Sequence, residues 1–375
     1  MNGFATGGRF RFHQAGPPDD AVLRRILRET PLPGWIALSY EREPSYFAGC
    51  AVEGETQTVL ATTTAGEPVG FFSRAVRSAF IEGRPLRLGY LGQLRLLPAW
   101  RARPRAILRG FEVCRALLAD GRQDTPYYLT SILADNVPAR RLLESGVRGL
   151  PAYLPLRGFI TLVAATRQRY GGCRSAEYAS ERGSADAVET LAALLQDYGR
   201  DRALYPCWTA DALRALEPVG WRGADMLLVR RGDRLVACGA VWDQRSVRQW
   251  RVVGYRSPLA RLRPLVNAGL WLGGFPRLPA PGRTLAQGFL SHLAVRPGEE
   301  AALPVLLAGL LRLARARGLD TVAFGLIEDH PWLARLGGLR ALRYRSQLYL
   351  VHWEQGRAAA ERLRGALVQP EAACL

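Results

Sequence analysis

The 375 residues carry 51 basic against 33 acidic side chains, a formal charge of +18, and 48% of the chain is apolar. Such a chain is too long for one small domain and apolar enough for sizeable cores, so long disorder is excluded and two domains are the natural division. Every basic residue is arginine, and the arginines are spread along the chain with no dense basic run, which disfavours nucleic acid as the main partner and points to smaller anions.

No uncharged apolar run reaches the roughly 18 residues that a bilayer span requires. The longest, residues 301–311, stops at Arg312 and reads as a buried helix. Residues 1–20 lack the apolar segment of a secretory signal, so a cytoplasmic protein without membrane association is expected. The six cysteines form no C-x-x-C pair and read as reduced, mostly buried thiols. The four histidines show no ligand spacing, so no metal site is expected.

In chain order, residues 9–14 read as a strand, and Pro17-Pro18-Asp19-Asp20 opens a helix with Val22, Leu23, Ile26 and Leu27 on one face. A short helix is expected near 44–49. Residues 57–64, 69–80 and 86–97 form three strands joined by turns at Gly66-Glu67-Pro68 and Glu82-Gly83-Arg84-Pro85, an antiparallel meander. Pro98 and a basic loop follow. Ile107, Leu108, Phe111, Cys114, Leu117 and Leu118 then recur at helical spacing until Gly121. Residues 127–133 read as a strand, Asp135-Asn136-Val137-Pro138 opens a helix through Glu144, and two strands are expected at 152–156 and 159–166.

A linker at 167–175 divides the chain into a first unit (1–170), a second (175–356) and a tail (357–375). The second unit has helices at 187–198 and 209–217 and strands at 226–230 and 235–244. Residues 250–283 read as an irregular insertion, within which 264–275 reads as a helix used for core packing, or else covering a site or interface. A strand at 285–295, a helix on Leu303, Leu306, Leu307, Leu310, Leu311 and Ala314, a strand at 321–327 and a closing segment at 339–353 complete the unit. The order repeats that of the first unit. Leu94-x-Leu96-x-Pro98 returns as Leu293-x-Val295-x-Pro297, and Asp135-Asn136-Val137-Pro138 returns as Asp329-His330-Pro331. The series reads as an internal duplication.

A strand that runs through proline and a basic loop into a helix start presents unpaired N–H donors and the positive dipole end to an anion. This order, with Leu94, Leu96, Pro98, the loop from Arg101 to Ala106 and the helix Asn136-Val137-Pro138-Ala139-Arg140-Arg141-Leu142-Leu143-Glu144, resembles the GNAT acetyltransferase superfamily. The resemblance implies an α/β (α+β) fold of two GNAT-like domains, each with a mixed, mostly antiparallel central sheet flanked by helices. It also implies that the backbone at Leu94, Leu96 and Leu97 pairs with the pantetheine arm of acyl-CoA. Arg101, Ala102, Arg103, Pro104, Arg105 and Ala106 would then hold the pyrophosphate, with Asn136 beside them.

The loop stands as Arg101-x-x-Pro104-x-Ala106 where the family pattern is Q/R-x-x-G-x-G/A, and Pro104 has no N–H to donate. Leu142-Leu143 stand where the family often places a catalytic tyrosine, and no acid lies between Glu82 and Glu112. Tyr90 in the first unit and His292 in the second are the catalytic candidates, each weighed against a purely structural role in the core. In the second unit Gly298-Glu299-Glu300 puts two acids where a diphosphate would sit, so that copy reads as degenerate. The leading expectation is an acyl-CoA-dependent N-acyltransferase, with acetyl-CoA as co-substrate and a small-molecule amine as acceptor. A non-catalytic acyl-CoA sensor and a tRNA-dependent aminoacyltransferase of GNAT-like fold are the alternatives.

Overall fold

The computed structural model describes residues 3–7, 9–101, 104–170, 177–184 and 187–375. The first half runs β1 (Gly3–Gly7), β2 (Phe10–Gln14), α1 (Asp20–Glu29), β3 (Ile36–Glu41), β4 (Glu55–Thr63), β5 (Pro68–Ile81) and β6 (Arg84–Leu96). It continues with α2 (Pro104–Leu118), β7 (Tyr127–Leu133), α3 (Val137–Leu143) and β8 (Ala152–Ala165). The second half begins with β9 (Ala179–Arg182), α4 (Val188–Gly199), α5 (Ala210–Arg214), β10 (Met226–Arg231), β11 (Arg234–Trp242), β12 (Gln249–Tyr255) and α6 (Leu259–Leu272). It ends with β13 (Gln287–Val295), α7 (Ala302–Ala316), β14 (Thr321–Ile327), β15 (Ala341–His352) and α8 (Arg357–Arg362).

Among the described residues, thirteen strands form one sheet in the order β1-β2-β4-β5-β6-β7-β15-β8-β14-β13-β11-β10-β9. The sheet is antiparallel except at β6/β7 and β13/β14, which gives the mixed, mostly antiparallel class expected. The halves do not keep separate sheets. β15 lies between β7 and β8, pairing Ser346–His352 with Leu133–Tyr127 on one side and Ala341–His352 with Ala164–Ala152 on the other. β8, although it belongs to the first half, pairs among the described residues with β15 and β14 alone. Each half thus closes its sheet with the last strand of the other.

Helices cover both faces. On α7 the predicted stripe is buried as a block: Leu303, Leu306, Leu307, Leu310, Leu311 and Ala314. Each such leucine contributes roughly 1.5–3 kcal/mol relative to exposure. On α2 the buried face is Ala106, Phe111, Cys114 and Leu117, packed with Phe10, Phe12, Val59 and Phe72.

Three expectations change. The two strands anticipated at 152–156 and 159–166 are one strand, β8, with Pro155 at a register shift opposite Leu348 and Tyr349. No helix forms at 44–49; a 3-10 turn at Ala48–Val52 takes its place. The segment 250–283 is not an irregular insertion. It contains β12, which pairs with β3 in a separate two-stranded sheet built by one strand from each half, and α6. None of the α6 side chains is buried, and Leu272 is 79% exposed, so this helix is not core packing.

The β3/β12 layer is fastened to the sheet by a buried ion cluster. The Glu53 Oε1 atom is shared by Arg42 and by the Nη2 of Arg248, the latter at 3.4 Å. The hydroxyl of Tyr40 accepts from the Nε of both arginines. Arg248 also donates to the carbonyls of Ala373 (3.2 Å) and Leu375 (3.3 Å), so residues of the tail are drawn into the same knot. Removing the shared carboxylate would leave two enclosed guanidinium groups that cannot give up their charge. Glu53→Gln is therefore expected to cost about 3–5 kcal/mol in denaturant unfolding. Glu55→Gln, whose pairs with Arg87 and Arg122 are exposed, is expected to stay within about 1 kcal/mol.

Candidate active site

The parallel pairing of β6 with β7 covers only Gly89↔Tyr128 and Tyr90↔Leu129, after which the strands part. β13 and β14 do the same after Phe289↔Ala323. Both central strands carry a bulge at matching places. Gln93 (φ 54°) is extruded between the pairs Gly92↔Ser73 and Arg95↔Phe71, and His292 (φ 55°) between Ser291↔Ala240 and Ala294↔Cys238. A left-handed conformation at a non-glycine residue is uncommon, and its recurrence directly before Leu94 and Leu293 makes the two clefts geometric equivalents. At Gly70 a Cβ would collide with the Arg95 carbonyl oxygen, so the bulged strand has room only because β5 carries glycine there.

The parting of β6 from β7 leaves backbone unpaired. The Leu97 N–H donates to Val69 O on the β5 side. By strand alternation the amide groups of Leu96 and Leu94 then face the cleft. The Leu96 carbonyl accepts from Arg101 Nε at 3.3 Å, which fits that orientation. The cleft opens into a cavity of about 1620 Å³ that runs beneath the β3/β12 layer and is lined from both halves.

Of the residues singled out in the sequence, Tyr90, Leu94, Leu96, Ala106 and Asn136 line this cavity. Leu97 instead packs with Leu23, Tyr46 and Phe71. Asn136 also caps α3, its Oδ1 accepting from the Ala139 N–H at 3.4 Å. Arg101 is exposed and follows the 3-10 turn Pro98–Trp100 beyond β6, Pro104 is the first residue of α2 with Arg105 next in the chain, and Ala102 and Arg103 lie outside the described residues. Burial pushes the Tyr90 phenol far up, which keeps it a neutral hydroxyl donor and unsuits it as a base.

His292 is not among the lining residues. It is fully buried against Trp208, with ring centroids 4.3 Å apart, and against Trp221 and Trp242, each at 5.7 Å. Burial, helped by the charge of Arg77, lowers its pKa to about 3, so it stays neutral. Its Nδ1 meets Ser291 Oγ at 2.8 Å. At the start of α7, the Glu300 carboxylate accepts from Gly298 N–H at 3.1 Å, and Glu299 is held by Tyr178 at 2.9 Å and by Arg231. The second cleft thus fills its own anion-facing end with carboxylates.

Sequence reasoning passed over Gln93, Arg95 and Arg248, which also line the cavity. Only the bulge and the neighbouring half bring them together, and neither has a local sequence signature. Near the second bulge, Glu371 accepts from the backbone N–H of His292 at 2.8 Å and of Ala373 at 3.2 Å. Burial nevertheless raises its pKa from the usual 4.5 to about 7. The folded chain then holds a proton that the unfolded chain has released, so stability falls as pH rises from about 4.5 through 7. The loss is of order 3 kcal/mol. Unfolding followed from pH 4.5 to 8 is expected to show that decline in the parent chain and a flatter profile in Glu371→Gln, whatever the offset at acid pH. Parallel profiles would contradict it.

By sequence the chain matches no family model and no curated protein. By structure it is similar to a GCN5-related N-acetyltransferase from Sphaerobacter thermophilus, at 16% identity and a TM-score of 0.53 over 92% of this chain and 96% of that one. It is also similar to Saccharomyces cerevisiae N-myristoyltransferase with bound myristoyl-CoA, at 9% identity and a TM-score of 0.59 over 93% and 84%. A third likeness is to a GCN5-related N-acetyltransferase from Anabaena variabilis, at 11% identity and a TM-score of 0.51 over 91% and 72%. Over nine-tenths of its length, this chain has the fold of the GCN5-related N-acetyltransferases.

Proposed function

We propose that the protein is an acyl-CoA-dependent N-acyltransferase, with acetyl-CoA as donor and a small-molecule amine as acceptor. The observation that carries this reading is the edge of β6 at Leu94 and Leu96, left without a strand partner where β7 parts from it, which leads from the cavity to the first turn of α2. Backbone edges in apolar surroundings require partners. An extended chain of alternating amides, as in pantetheine, satisfies them the way an added strand does. The α2 start, with Arg101 close by, suits the diphosphate at the far end of that chain.

In the reaction, the amine nitrogen forms a C–N bond to the thioester carbonyl carbon, the C–S bond breaks, and CoA leaves as its thiol. The proton lost by the amine balances the one gained by sulfur. The cleft contributes alignment of the two reactants and N–H donors for the carbonyl oxygen. Tyr90, held neutral, supplies an O–H for the leaving sulfur. Among the described residues no three metal-ligating side chains gather, and no helix is long and apolar enough to cross a membrane.

Calorimetry with acetyl-CoA and CoA, followed by thiol release in the presence of an amine panel, tests the reading. Saturable binding and amine-dependent thiol release are expected. Tyr90→Phe is expected to lower kcat about 10- to 100-fold with little change in KM, and Arg101→Ala to weaken CoA several-fold. Absence of binding at millimolar acetyl-CoA would overturn the proposal. Binding without turnover on any amine would reassign the chain as an acyl-CoA-binding module.

A further inference from the structure

Arg95 stands on β6 two residues past the bulge and lines the cavity floor beside Gln93, Tyr40, Leu38 and Trp250. Its Nη1 donates to the Thr30 carbonyl at 3.3 Å, while its Nε is buried without a partner. Among the described residues, no acidic side chain lies within 4 Å of it. The buried carboxylate of Glu53 is already divided between Arg42 and Arg248. The charges that act on Arg95 are those of other arginines, Arg42 and Arg101, together with the phenols of Tyr40 and Tyr46, and burial lowers its pKa. A guanidinium does not neutralise itself by losing its proton. Enclosing it without a counter-charge is costly, and the planar fork is shaped for a carboxylate. The rest of the wall is also rich in arginine: Arg277, Arg340, Arg343 and Arg345 line it, with Arg245 already paired to Asp243, against the two lining aspartates Asp135 and Asp320.

Gln93 adds a complementary half. The bulge turns this residue out of the strand pairing, and its Oε1 is buried with no donor. Two residues of one strand therefore line the same cavity, one with a buried amide oxygen that lacks a donor and the other with a guanidinium that lacks a counter-charge. One accepts from an ammonium or amine, and the other takes a carboxylate.

We propose that Arg95 forms a carboxylate-binding subsite and that, with Gln93 receiving the amino group, the acceptor is an amino acid. This rests on the N-acyltransferase reading for the reaction but not for the binding. The same carboxylate could arrive on the acyl group, as in a dicarboxylic acyl-CoA, and the experiment separates the two sources.

The parent protein and Arg95→Met are titrated by calorimetry, without CoA, with the common L-amino acids and with the amines obtained by decarboxylating them. Turnover with acetyl-CoA is then compared for the same pairs, and succinyl-CoA is compared with butyryl-CoA on an amine lacking a carboxylate. The parent is expected to bind at least one amino acid and to prefer it over its decarboxylated amine by about 10- to 100-fold. That preference is expected to collapse to within about threefold in Arg95→Met, by analogy with a lost charge-assisted contact. Arg95→Met is also expected to keep or raise the melting temperature, since it removes an unbalanced buried charge; a merely structural arginine would lower it. An Arg95-dependent preference for succinyl-CoA over butyryl-CoA would keep the subsite and place the carboxylate on the acyl group. If neither carboxylate discriminates, or if Arg95→Met leaves discrimination intact, the subsite is overturned. Amino-acid binding that depends on Arg95 without any turnover would instead overturn the transferase reading and leave the subsite standing.

Discussion

The structure depends on the place of β15. This strand comes from the end of the second half, yet it pairs along its length with β8 and over seven residues with β7. It supplies hydrogen bonds that neither half can make alone. A strand with both edges paired cannot slip without moving Leu348 and Leu350 on one face, and Val351 on the other, out of the cores they fill. Because β7 is held from its far side by β15, it is fixed where it diverges from β6, and the cleft is a consequence of that fixed divergence. The β3/β12 layer, again one strand from each half, roofs the resulting cavity and is bound down by the Arg42–Glu53–Arg248 cluster.

The two clefts share a backbone device and differ in what the side chains do with it. In the first, the bulged residue is Gln93, and Tyr90 and Arg95 face an open volume. In the second, the bulged residue is His292, enclosed by three tryptophans and bonded through its backbone to Glu371. The helix that follows is preceded by Arg101 and a basic loop in one case and by Glu299 and Glu300 in the other. The same strand-to-helix geometry is therefore electrostatically suited to an anion in the first half and filled by the chain's own carboxylates in the second.

Much of this was legible in the sequence, because it is local. The repeated Leu-x-Leu/Val-x-Pro strands, the α7 stripe and the acid-proline helix starts carry their own periodicity and capping signals, and the acids after Pro297 already marked the second copy as altered. Features set by non-local pairing were not legible. β8 reads as two strands, and its continuity rests on pairing with β14 and β15, with Pro155 accommodated at a register shift. The exchange of β15 and β8 depends on register between segments separated by well over a hundred residues. Arg95 carries no local signal of its site, because Tyr40 and Trp250, which line the cavity with it, come from distant segments. Leu262, Leu265, Leu272 and Trp271 of α6 have the composition of a core helix, yet they remain on the surface.

The central claim is that the β6/β7 cleft, and not its counterpart at β13/β14, receives the extended arm of acyl-CoA. Hydrogen–deuterium exchange with and without CoA reads this at the backbone amides themselves. The account predicts slowed exchange at Leu94 and Leu96 and in the first turn of α2, with no change at Leu293 to Val295. Protection at Leu293 to Val295, or none at Leu94 and Leu96 at saturating CoA, would contradict it.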